Sequence, residues 1–409
     1  MFFHARWVLP ISQPPIRDGW VAVESGRIVG VGGPADRSRD RPIGRLADEP
    51  IAILPGLVNA HTHLELSWMR GQVPPAETMP KWVERLMALR RTVGHEPVEP
   101  IHEAIREARA AGTSLVGDIT NTLAAYQPLA DSDLSAAIFR ELLGFNVSDP
   151  AAVVAQAQAQ LDALAPISRL RPSIVPHAPY SVSPALLREI VQAAGGRARV
   201  SIHLGESAEE VEFLQSGHGS WRMLLDDLKV WSDAWTPPAC SPVVYIDRHG
   251  LLNERLLAVH CVQLTDEDLG KLAAAGATVV ACPRSNRWTG AGLPPIGRFY
   301  ESGVTVAVGT DSLGSVEDLN VFAELALMRQ LAPDVPARAL LESATKHGAD
   351  ALGFGTELGT IEPGKRSELI GVRLPGGLDD VEEYLVGGIQ PQDIQWLNDA
   401  GDQLLTANL

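Results

Sequence analysis

The most constraining feature of the sequence is a regular alternation of short β-like runs with helical stretches between residue 55 and about residue 345. The helical stretches are rich in Ala, Leu, Glu and Arg and include 97–111, 150–164, 184–194 and 265–275. Such alternation predicts parallel strands joined by crossover helices. The eight predicted strands are 56–60, 113–118, 136–140, 172–176, 199–202, 256–259, 278–281 and 305–308.

Metal-binding residue types recur where these runs end. His61 and His63 close the first run, and residues two apart on a strand point to the same side, so both imidazoles can face one point. His203, His260 and Asp311 each close a later run. These ends converge only if the strands form a closed ring, whose carboxyl ends carry the site. The residues therefore favour a (β/α)8 TIM barrel over the alternative, a doubly wound open sheet.

The two ends of the chain differ from the middle. Residues 1–54 read as short β-rich segments separated by turns, and the chain after Thr345 returns to short strands and turns. We predict one small β-sandwich domain built from 1–54 and 346–409, beside a barrel domain of 55–345. The stretch 217–250 is long for a connection and carries three tryptophans. It is interpreted either as an insertion over the mouth of the barrel or as an ordinary surface loop.

Three histidines and one aspartate make a nitrogen and oxygen ligand set that suits Zn²⁺ or Fe²⁺. Glu206 follows His203 by three residues, at the start of the next element. A carboxylate near such a metal but not bound to it is the expected proton carrier for hydrolysis. The constellation indicates a metal-dependent hydrolase.

Composition and net charge limit the kinds of molecule that the protein is expected to bind. The chain of 409 residues is 45% hydrophobic with a net charge of -16, which permits a large core and argues against nucleic acid or anionic lipid as a partner. The three cysteines lie far apart with no Cys-x-x-Cys spacing, which argues against a zinc finger or a disulfide framework. No apolar run approaches the ~20 residues of a membrane span, and no signal peptide is evident. We predict a cytoplasmic protein with a small-molecule substrate and leave homo-oligomerisation open.

The sequence resembles the amidohydrolase superfamily, in its mononuclear deaminase and chlorohydrolase branch, over nearly its whole length. The matching motifs are Pro-Gly-Leu-Val-Asn-Ala-His61-Thr-His63, His177-Ala-Pro-Tyr-Ser-Val-Ser, His203-Leu-Gly-Glu206-Ser, Val-His260-Cys, Cys-Pro-Arg-Ser285-Asn and Gly-Thr-Asp311-Ser. Together they are specific for the branch and only weakly specific for the substrate.

The resemblance implies that His61, His63, His203 and Asp311 bind one divalent metal ion. It also implies that Glu206, His260 and Asp311 are the catalytic residues, which act on a water and on the leaving amine. Binuclear relatives bridge two metals with a lysine on the fourth strand, and no lysine of this chain lies near that strand. One metal is therefore expected.

The resemblance also suggests a substrate. The segment that begins at His177 is similar to the substrate-binding segment of adenosine-type deaminases. The run from His61 to Ser67, which includes Glu65, looks most like that of the aminodeoxyfutalosine deaminases of the alternative menaquinone route. Glu65 is interpreted either as a ribose ligand or as a buried carboxylate. The implied substrate-binding residues are Glu65, Trp82, Arg90, Arg91, Arg140, His177 and Ser285.

The arginines carry the more specific part of this prediction. Relatives that act on methylthioadenosine have an acidic residue about two turns after the counterpart of Trp82, where this chain has Arg90 and Arg91. Arginine suits a substrate with a carboxylate, as aminodeoxyfutalosine has. Arg140 is the alternative reader of that group, and a solvated helix face is the alternative role for Arg90 and Arg91.

The sequence also permits three other functional classes. The first is another deaminase or dechlorinase of the branch, acting on S-adenosylhomocysteine, methylthioadenosine, adenosine, guanine or a triazine. The second is a metal-dependent amidohydrolase that opens a cyclic amide. The third is a non-catalytic binding protein, which the presence of all four ligands and Glu206 argues against.

Overall fold

The computed structural model describes residues 1–36, 50–93 and 97–397. Within these ranges the strands are β1 Phe2–His4, β2 Trp7–Val8, β3 Ile16–Arg17, β4 Trp20–Glu24, β5 Arg27–Gly32, β6 Ile51–Pro55, β7 Leu57–Thr62, β8 Thr113–Thr120, β9 Ser135–Leu142, β10 Leu170–Pro176, β11 Val200–Leu204, β12 Leu256–His260, β13 Thr278–Ala281, β14 Thr305–Val308, β15 Leu369–Arg373 and β16 Ile394–Trp396. The helices are α1 Met79–Arg90, α2 Glu99–Ala110, α3 Tyr126–Ala130, α4 Pro150–Asp162, α5 Pro184–Ala194, α6 Ala208–Ser216, α7 Ser220–Asp227, α8 Pro242–Arg248, α9 Asp266–Ala274, α10 Pro283–Thr289, α11 Ile296–Glu301, α12 Val321–Leu331, α13 Ala337–Ser343, α14 Lys346–Ala351 and α15 Val381–Leu385. Short 3-10 turns lie at Pro34–Asp36, Leu64–Met69 and Pro391–Asp393.

Two four-stranded parallel sheets form the centre of the molecule. Their strand orders are β7-β8-β9-β10 and β11-β12-β13-β14, so sequential strands are neighbours throughout. Most of their residues are buried, as expected for apolar strands covered on both faces. The predicted α/β class with parallel strands is confirmed, and the predicted strand bounds agree with the observed ones to within two residues.

Backbone hydrogen bonds connect the two parallel sheets at both of their outer edges. His203 N donates to His177 O at 2.9 Å, which joins the start of the second sheet to the end of the first. Thr310 N and Asp311 N both donate to His61 O, at 3.1 and 3.0 Å. Gly309 permits this second approach, because a Cβ there would lie 2.8 Å from the backbone oxygen of His61. The first and last strands of the pair of sheets therefore meet.

Several helices begin or end at cap residues that can be recognised in the sequence. Ser183 caps α5 by accepting a hydrogen bond from Leu186 N at 3.1 Å, and Gly195 ends the helix with a φ of 57°. Thr265 and Asp268 form a capping box at the start of α9. The bounds of α5 are those predicted, because the cap residues are readable in the sequence.

Strands from both ends of the chain share one sheet. A five-stranded sheet has the order β3-β2-β6-β15-β16, and a three-stranded antiparallel sheet has the order β1-β4-β5. Buried side chains from both sheets, including Val21, Ile28, Ile53 and Leu369, form one apolar cluster. Parts of the predicted terminal segments, 37–49 and 398–409, lie outside the described residues.

The tail after Thr345 is not made only of strands and turns, and this expectation was wrong for α14 and α15. Helix α14 packs on the central sheets, where His347 Nδ1 donates to Val306 O at 3.1 Å. Its short run of small residues, which resembles a turn in the sequence, is helical because it fits against β7 and β14. Among the described residues no helix combines the length and the apolar character needed to cross a bilayer.

Candidate active site

Strand β7 places two imidazoles on one side of the sheet. His61 is fully buried, and neither of its ring nitrogens has a hydrogen-bond partner among the described residues. Its ring centroid lies 5.0 Å from that of His63. Thr62, between them, points elsewhere and donates its hydroxyl to Asp311 O at 2.9 Å. The alternation of side chains along a strand thus brings the two histidines together, as the spacing predicts.

The ends of β11, β12 and β14 bring His203, His260 and Asp311 to the same point. His203 Nδ1 lies 3.0 Å from His260 Nε2, and the His203 ring centroid lies 5.0 Å from that of His61. Asp311 Oδ1 lies 3.5 Å from His63 Nε2 and 3.8 Å from His61 Nε2. The five predicted residues therefore form one buried cluster.

The backbone at two of these residues is left-handed. His260 has a φ of 74° and Asp311 a φ of 61°, values that residues with a side chain seldom adopt. Asp311 is held there by its own N–H, which donates to His61 O, and by the Thr62 hydroxyl on its carbonyl. The chain turns sharply at these strand ends and points both side chains at the centre of the cluster.

The cluster offers donor atoms that fit a metal ion. One nitrogen or oxygen of each of His61, His63 and Asp311 lies within 4.8 Å of the others, and the same holds for His61, His203 and His260. Burial lowers the pKa of His61 and His63, and that of His260 falls to about 3, which leaves neutral imidazoles as ligands require. The unpartnered Nε2 of His61, 3.8 Å from Asp311 Oδ1, is a buried polar atom that a cation would satisfy.

His203 differs from the other histidines. Burial lowers its pKa, but the carboxylates of Glu141, Glu206 and Asp311 together outweigh burial and raise the pKa to about 9. Glu141 Oε1 lies 3.5 Å from His203 Nε2. A cation in the cluster competes with this proton for the ring of His203.

A tight turn after β11 presents Glu206 to the cluster. Its Oε2 lies 3.5 Å from His260 Nε2 and has no hydrogen-bond partner among the described residues. Gly205 before it has a φ of 57°, and a Cβ at this position would lie 2.4 Å from Leu264 Cδ2. The turn is anchored by Glu210, whose two oxygens accept hydrogen bonds from Gly205 N and Glu206 N, both at 3.0 Å. Burial raises the pKa of Glu206 to about 8, so it can hold a proton near neutral pH.

Helix α10 supports the cluster from the side of β13. Ser285 Oγ donates to Asp311 Oδ2 at 2.6 Å. Asn286 Nδ2 donates to His260 Nδ1 at 2.9 Å and lies 3.5 Å from Glu206 Oε1. Ser285, predicted to bind substrate, is placed to orient a carboxylate instead. Asn286, which the sequence analysis used only as part of a motif, fixes the ring of His260.

A cavity of about 250 Å³ opens over the cluster and has mostly apolar walls. Helices α1 and α7 form two of these walls and contact each other. Tyr180 and Trp221 stack at 4.0 Å between centroids and form another part of the lining. The segment 217–250 therefore contributes a helical wall through α7, which agrees with its interpretation as an insertion at the mouth. The lining comprises His63, Leu66, Met79, Trp82, Val83, Leu86, Met87, Arg90, Asn121, Glu141, Leu143, His177, Tyr180, Ser181, His203, Glu206, Trp221, Leu224, Leu225, Leu228, His260, Thr289, Asp311 and Ser312.

The predicted substrate residues divide into two groups. Trp82, Arg90 and His177 line the cavity. Arg91 is exposed at the end of α1, and it is not part of the lining. Arg140 points away, with Nε on Gln160 of α4 at 3.2 Å.

Glu65 does not lie where it could bind a substrate in the cavity. It is 1% exposed and is not among the cavity-lining residues. Its oxygens accept hydrogen bonds from Thr120 Oγ1, Asn121 N, Thr122 N and Thr122 Oγ1, at 2.7 to 3.1 Å. The structure thus favours the buried-carboxylate interpretation of Glu65. The sequence analysis missed Glu141, which lines the cavity one residue after Arg140.

Comparison with known proteins agrees with this site. The model of the amidohydrolase family matches residues 52–392. The chain is 31% identical to a 5-methylthioadenosine/S-adenosylhomocysteine deaminase of Moorella thermoacetica, over 95% of this chain and 90% of that protein. It is 33% identical to an aminodeoxyfutalosine deaminase of Deinococcus radiodurans, over 83% of this chain and 82% of that protein.

A solved structure extends the likeness to the fold. An adenosine deaminase from Xanthomonas campestris with bound zinc superposes with a TM-score of 0.81 at 28% identity, covering 96% of this chain and 90% of that one. The fold, site and relatives define the class of the protein as a hydrolase that acts on carbon–nitrogen bonds. The chain belongs to the amidohydrolase family, as its motifs predict.

Proposed function

We propose that the protein is a metal-dependent hydrolytic deaminase of an adenosine-type nucleoside, and that its substrate is 6-amino-6-deoxyfutalosine, converted to futalosine. The observation that carries the deaminase proposal is Glu206, a buried carboxyl with a raised pKa beside the cluster of His61, His63, His203 and Asp311. This substrate would place the enzyme in menaquinone biosynthesis.

In this proposal His61, His63, His203 and Asp311 hold one divalent cation, Zn²⁺ or Fe²⁺. Such a cation lowers the pKa of a water toward neutrality and so supplies hydroxide for hydrolysis. The fit is supported by the buried, unpartnered Nε2 of His61 and by the Ser285 hydroxyl that orients Asp311.

In the proposed reaction, side chains around the purine ring of the substrate transfer the protons. Glu206 donates a proton to a ring nitrogen of the purine, which makes the adjacent amino-bearing carbon electrophilic. His260 and Asp311 orient the attacking water, and Asp311 accepts its proton. Glu206, ionised by the first step, then accepts the remaining proton of the added hydroxyl and passes it to the amino group, and the proton taken up by Asp311 restores Glu206. The amine and the water thus become ammonia and a ring carbonyl.

The choice of aminodeoxyfutalosine is supported by the part of the cavity next to the C-terminal end of α1. Its walls include Leu86, Leu224 and Leu228, and Arg90 lies at the same end of α1. An apolar passage with an arginine suits a 5′ arm that carries an aromatic carboxylate. The Deinococcus radiodurans relative supports the same choice. The Moorella thermoacetica relative supports the second candidate, a deaminase of methylthioadenosine or S-adenosylhomocysteine.

The test is ammonia release from a panel of 5′-substituted adenosines by the metal-loaded enzyme. We expect aminodeoxyfutalosine to give the highest kcat/KM. Preference for methylthioadenosine, S-adenosylhomocysteine or adenosine would reject the futalosine assignment and keep the deaminase. Absence of ammonia from every nucleoside, with hydrolysis of a cyclic amide instead, would reject the deaminase.

The proposal includes the finer architecture and location of the protein. We propose that the two parallel sheets form one (β/α)8 barrel of residues 55–345, supported by the hydrogen bonds from Thr310 and Asp311 to His61 at one edge and from His203 to His177 at the other. We further propose that 1–54 and 346–409 form the second, β-sandwich domain, apart from α14, which packs on the central sheets. A cytoplasmic location without nucleic-acid or membrane partners stays a prediction.

A further inference from the structure

Helix α10 is joined to the segment of chain that follows Asp311. Ser285 Oγ donates to Asp311 Oδ2 at 2.6 Å and lies 2.8 Å from Ser315 Oγ. Ser315 belongs to a turn, in which its N–H donates to Ser312 O at 2.9 Å. The direction of the Asp311 carboxylate therefore depends on where α10 lies relative to this turn.

Arg284, which precedes Ser285 on α10, makes ion pairs that the proposed deamination does not use. Its side chain is 11% exposed. Nη1 donates to Asp318 Oδ1 at 2.7 Å, and Nη2 donates to Glu317 Oε2 at 3.1 Å. Both carboxylates lie in the stretch between Asp311 and α12. The guanidinium thus ties α10 to the segment that carries Asp311.

A third carboxyl group meets Arg284 from α12. Glu324 is fully buried, and its Oε2 accepts a hydrogen bond from Arg284 N at 3.2 Å. Its Oε1 lies 3.7 Å from Arg284 Nη1. Asp318 Oδ1 also accepts Asn320 N at 3.0 Å, and Asn320 caps the start of α12. Arg284 is therefore held between α12 and the segment before it.

Arginine presents a rigid fork of donors, which fixes geometry as well as charge. We propose that Arg284 is a positioning residue, which holds α10 so that the Ser285 hydroxyl keeps the Asp311 carboxylate directed at the cluster. This inference rests on the proposed function, since that gives Asp311 its roles as a metal ligand and as a proton acceptor.

The test measures Zn²⁺ affinity by competition with a chromophoric chelator, and kcat and KM for ammonia release from the preferred nucleoside. Residues that orient a metal ligand typically change metal affinity or activity by roughly ten- to hundredfold. We expect Arg284→Gln and Ser285→Ala each to weaken Zn²⁺ binding by that factor. In the metal-saturated enzyme we also expect each to lower kcat by that factor, with little change in KM.

The double variant Arg284→Gln/Ser285→Ala shows whether Arg284 acts through Ser285. Both changes remove the same contact to Asp311, so the double variant should lose no more than Ser285→Ala alone. The matched control is Arg287→Gln, at an exposed arginine of the same helix, and it should match the wild type.

Arg284→Lys separates positioning from folding. It keeps a positive charge beside the buried Glu324, but one ammonium lacks the fork that holds Glu317 and Asp318 together. We expect the metal-free Arg284→Lys protein to keep the melting temperature of the metal-free wild type, and its Zn²⁺ affinity and kcat to fall. Wild-type affinity and kcat in Arg284→Lys would overturn the inference, because the fork is its premise.

The remaining outcomes separate the inference from the proposed function. Losses that multiply in the double variant would show that Arg284 acts independently of Ser285, which overturns the inference and leaves the deaminase. The expected pattern of Zn²⁺ affinities without ammonia from any nucleoside would reject the deaminase and support the positioning of Asp311. A wild type that binds no Zn²⁺ would overturn both.

Discussion

At the scale of single residues, the fold stabilises conformations that an isolated chain would avoid. A non-glycine residue in the left-handed region costs of order 1–3 kcal/mol, and both His260 and Asp311 adopt it. The hydrogen bonds from Asp311 N to His61 O and from Thr62 Oγ1 to Asp311 O hold one of them in place. Strain of this kind concentrates at functional sites, which agrees with the roles proposed for both residues.

Glu206→Gln tests the proton carrier. The variant keeps the size of the side chain but cannot supply a proton, so we expect kcat to fall by ~10² or more. Metal content and melting temperature should stay near the wild-type values, because Glu206 is not a proposed ligand. Glu209→Gln, in the first turn of α6, is the matched control and should keep its activity. Near-normal turnover of a metal-loaded Glu206→Gln enzyme would remove Glu206 from the mechanism.

Glu210→Gln tests the buried anchor of the same turn through its pH dependence. Burial raises the folded-state pKa of Glu210 to about 7, above the ordinary value of 4.5. The folded protein therefore binds more protons than the unfolded one, and this group's contribution to stability falls as the pH rises from about 4.5 to about 7. We expect the wild type to lose up to about 3 kcal/mol of unfolding free energy relative to the variant across that window.

Urea denaturation of metal-loaded protein at pH 5 and pH 7.5 measures this difference. Glu209→Gln should follow the wild type at both values. If Glu210→Gln also changes in parallel with the wild type, the carboxyl of Glu210 does not titrate in this range.

Sequence reasoning at this scale found the residue types but not always the direction of the side chain. It chose Arg140, whereas the cavity receives Glu141, because a shift of one residue moves a side chain to the other face of a strand. It also could not decide between a substrate ligand and a buried carboxylate for Glu65. That choice depends on the loop at 120–122, which folds back from a distant part of the chain.

At the scale of elements, the end of α1 places two adjacent arginines in different environments. Arg90 lines the cavity, whereas Arg91 is exposed at the helix end. If Arg90 meets a carboxylate of the substrate, Arg90→Ala loses a charge-assisted hydrogen bond, worth about 1.5–3 kcal/mol. We expect kcat/KM for aminodeoxyfutalosine to fall by roughly ten- to hundredfold and that for adenosine to stay nearly unchanged.

Arg91→Ala is the matched control and should leave both substrates unchanged. An equal loss on both substrates in Arg90→Ala would show that Arg90 supports α1. In that case another group recognises the 5′ arm.

Helix α10 carries two consecutive residues of one sequence motif that contact different residues of the site. Ser285 and Asn286 are consecutive, yet one reaches Asp311 and the other reaches His260 and Glu206. The motif marks the segment in the sequence. Only the placement of the helix between β13 and the cluster shows that both side chains orient other residues.

At the scale of the whole molecule, the cluster predicts one tightly held metal ion per chain. Elemental analysis of purified protein should return one equivalent of Zn²⁺ or Fe²⁺, and His203→Ala should lose metal and activity together. Removal of the metal by a chelator should lower the melting temperature, because a ligand that binds only the folded state stabilises it. Two equivalents per chain, or none after growth in metal-rich medium, would contradict the single-site proposal.

The central parallel strands could be predicted almost completely, because each is a short apolar run bounded by helical stretches. The joining of the two terminal segments was predicted as well, but the particular pairing of β6 with β15 was not, since it joins strands more than 300 residues apart that have little periodicity of their own. Helix α14 was missed for the same reason, because its conformation depends on the surface that it covers.

The meeting of the first and last central strands has a consequence for synthesis on the ribosome. Thr62 and Asp311, which contact each other beside the histidines, are 249 residues apart in the chain. At 5–20 residues per second the ribosome needs between about 12 and 50 s to cover that distance. During this time His61 and His63 have emerged without Asp311, so a nascent chain can offer a metal ion only part of the proposed set of ligands. The enzyme is therefore expected to acquire its metal late, after most of the polypeptide has left the exit tunnel.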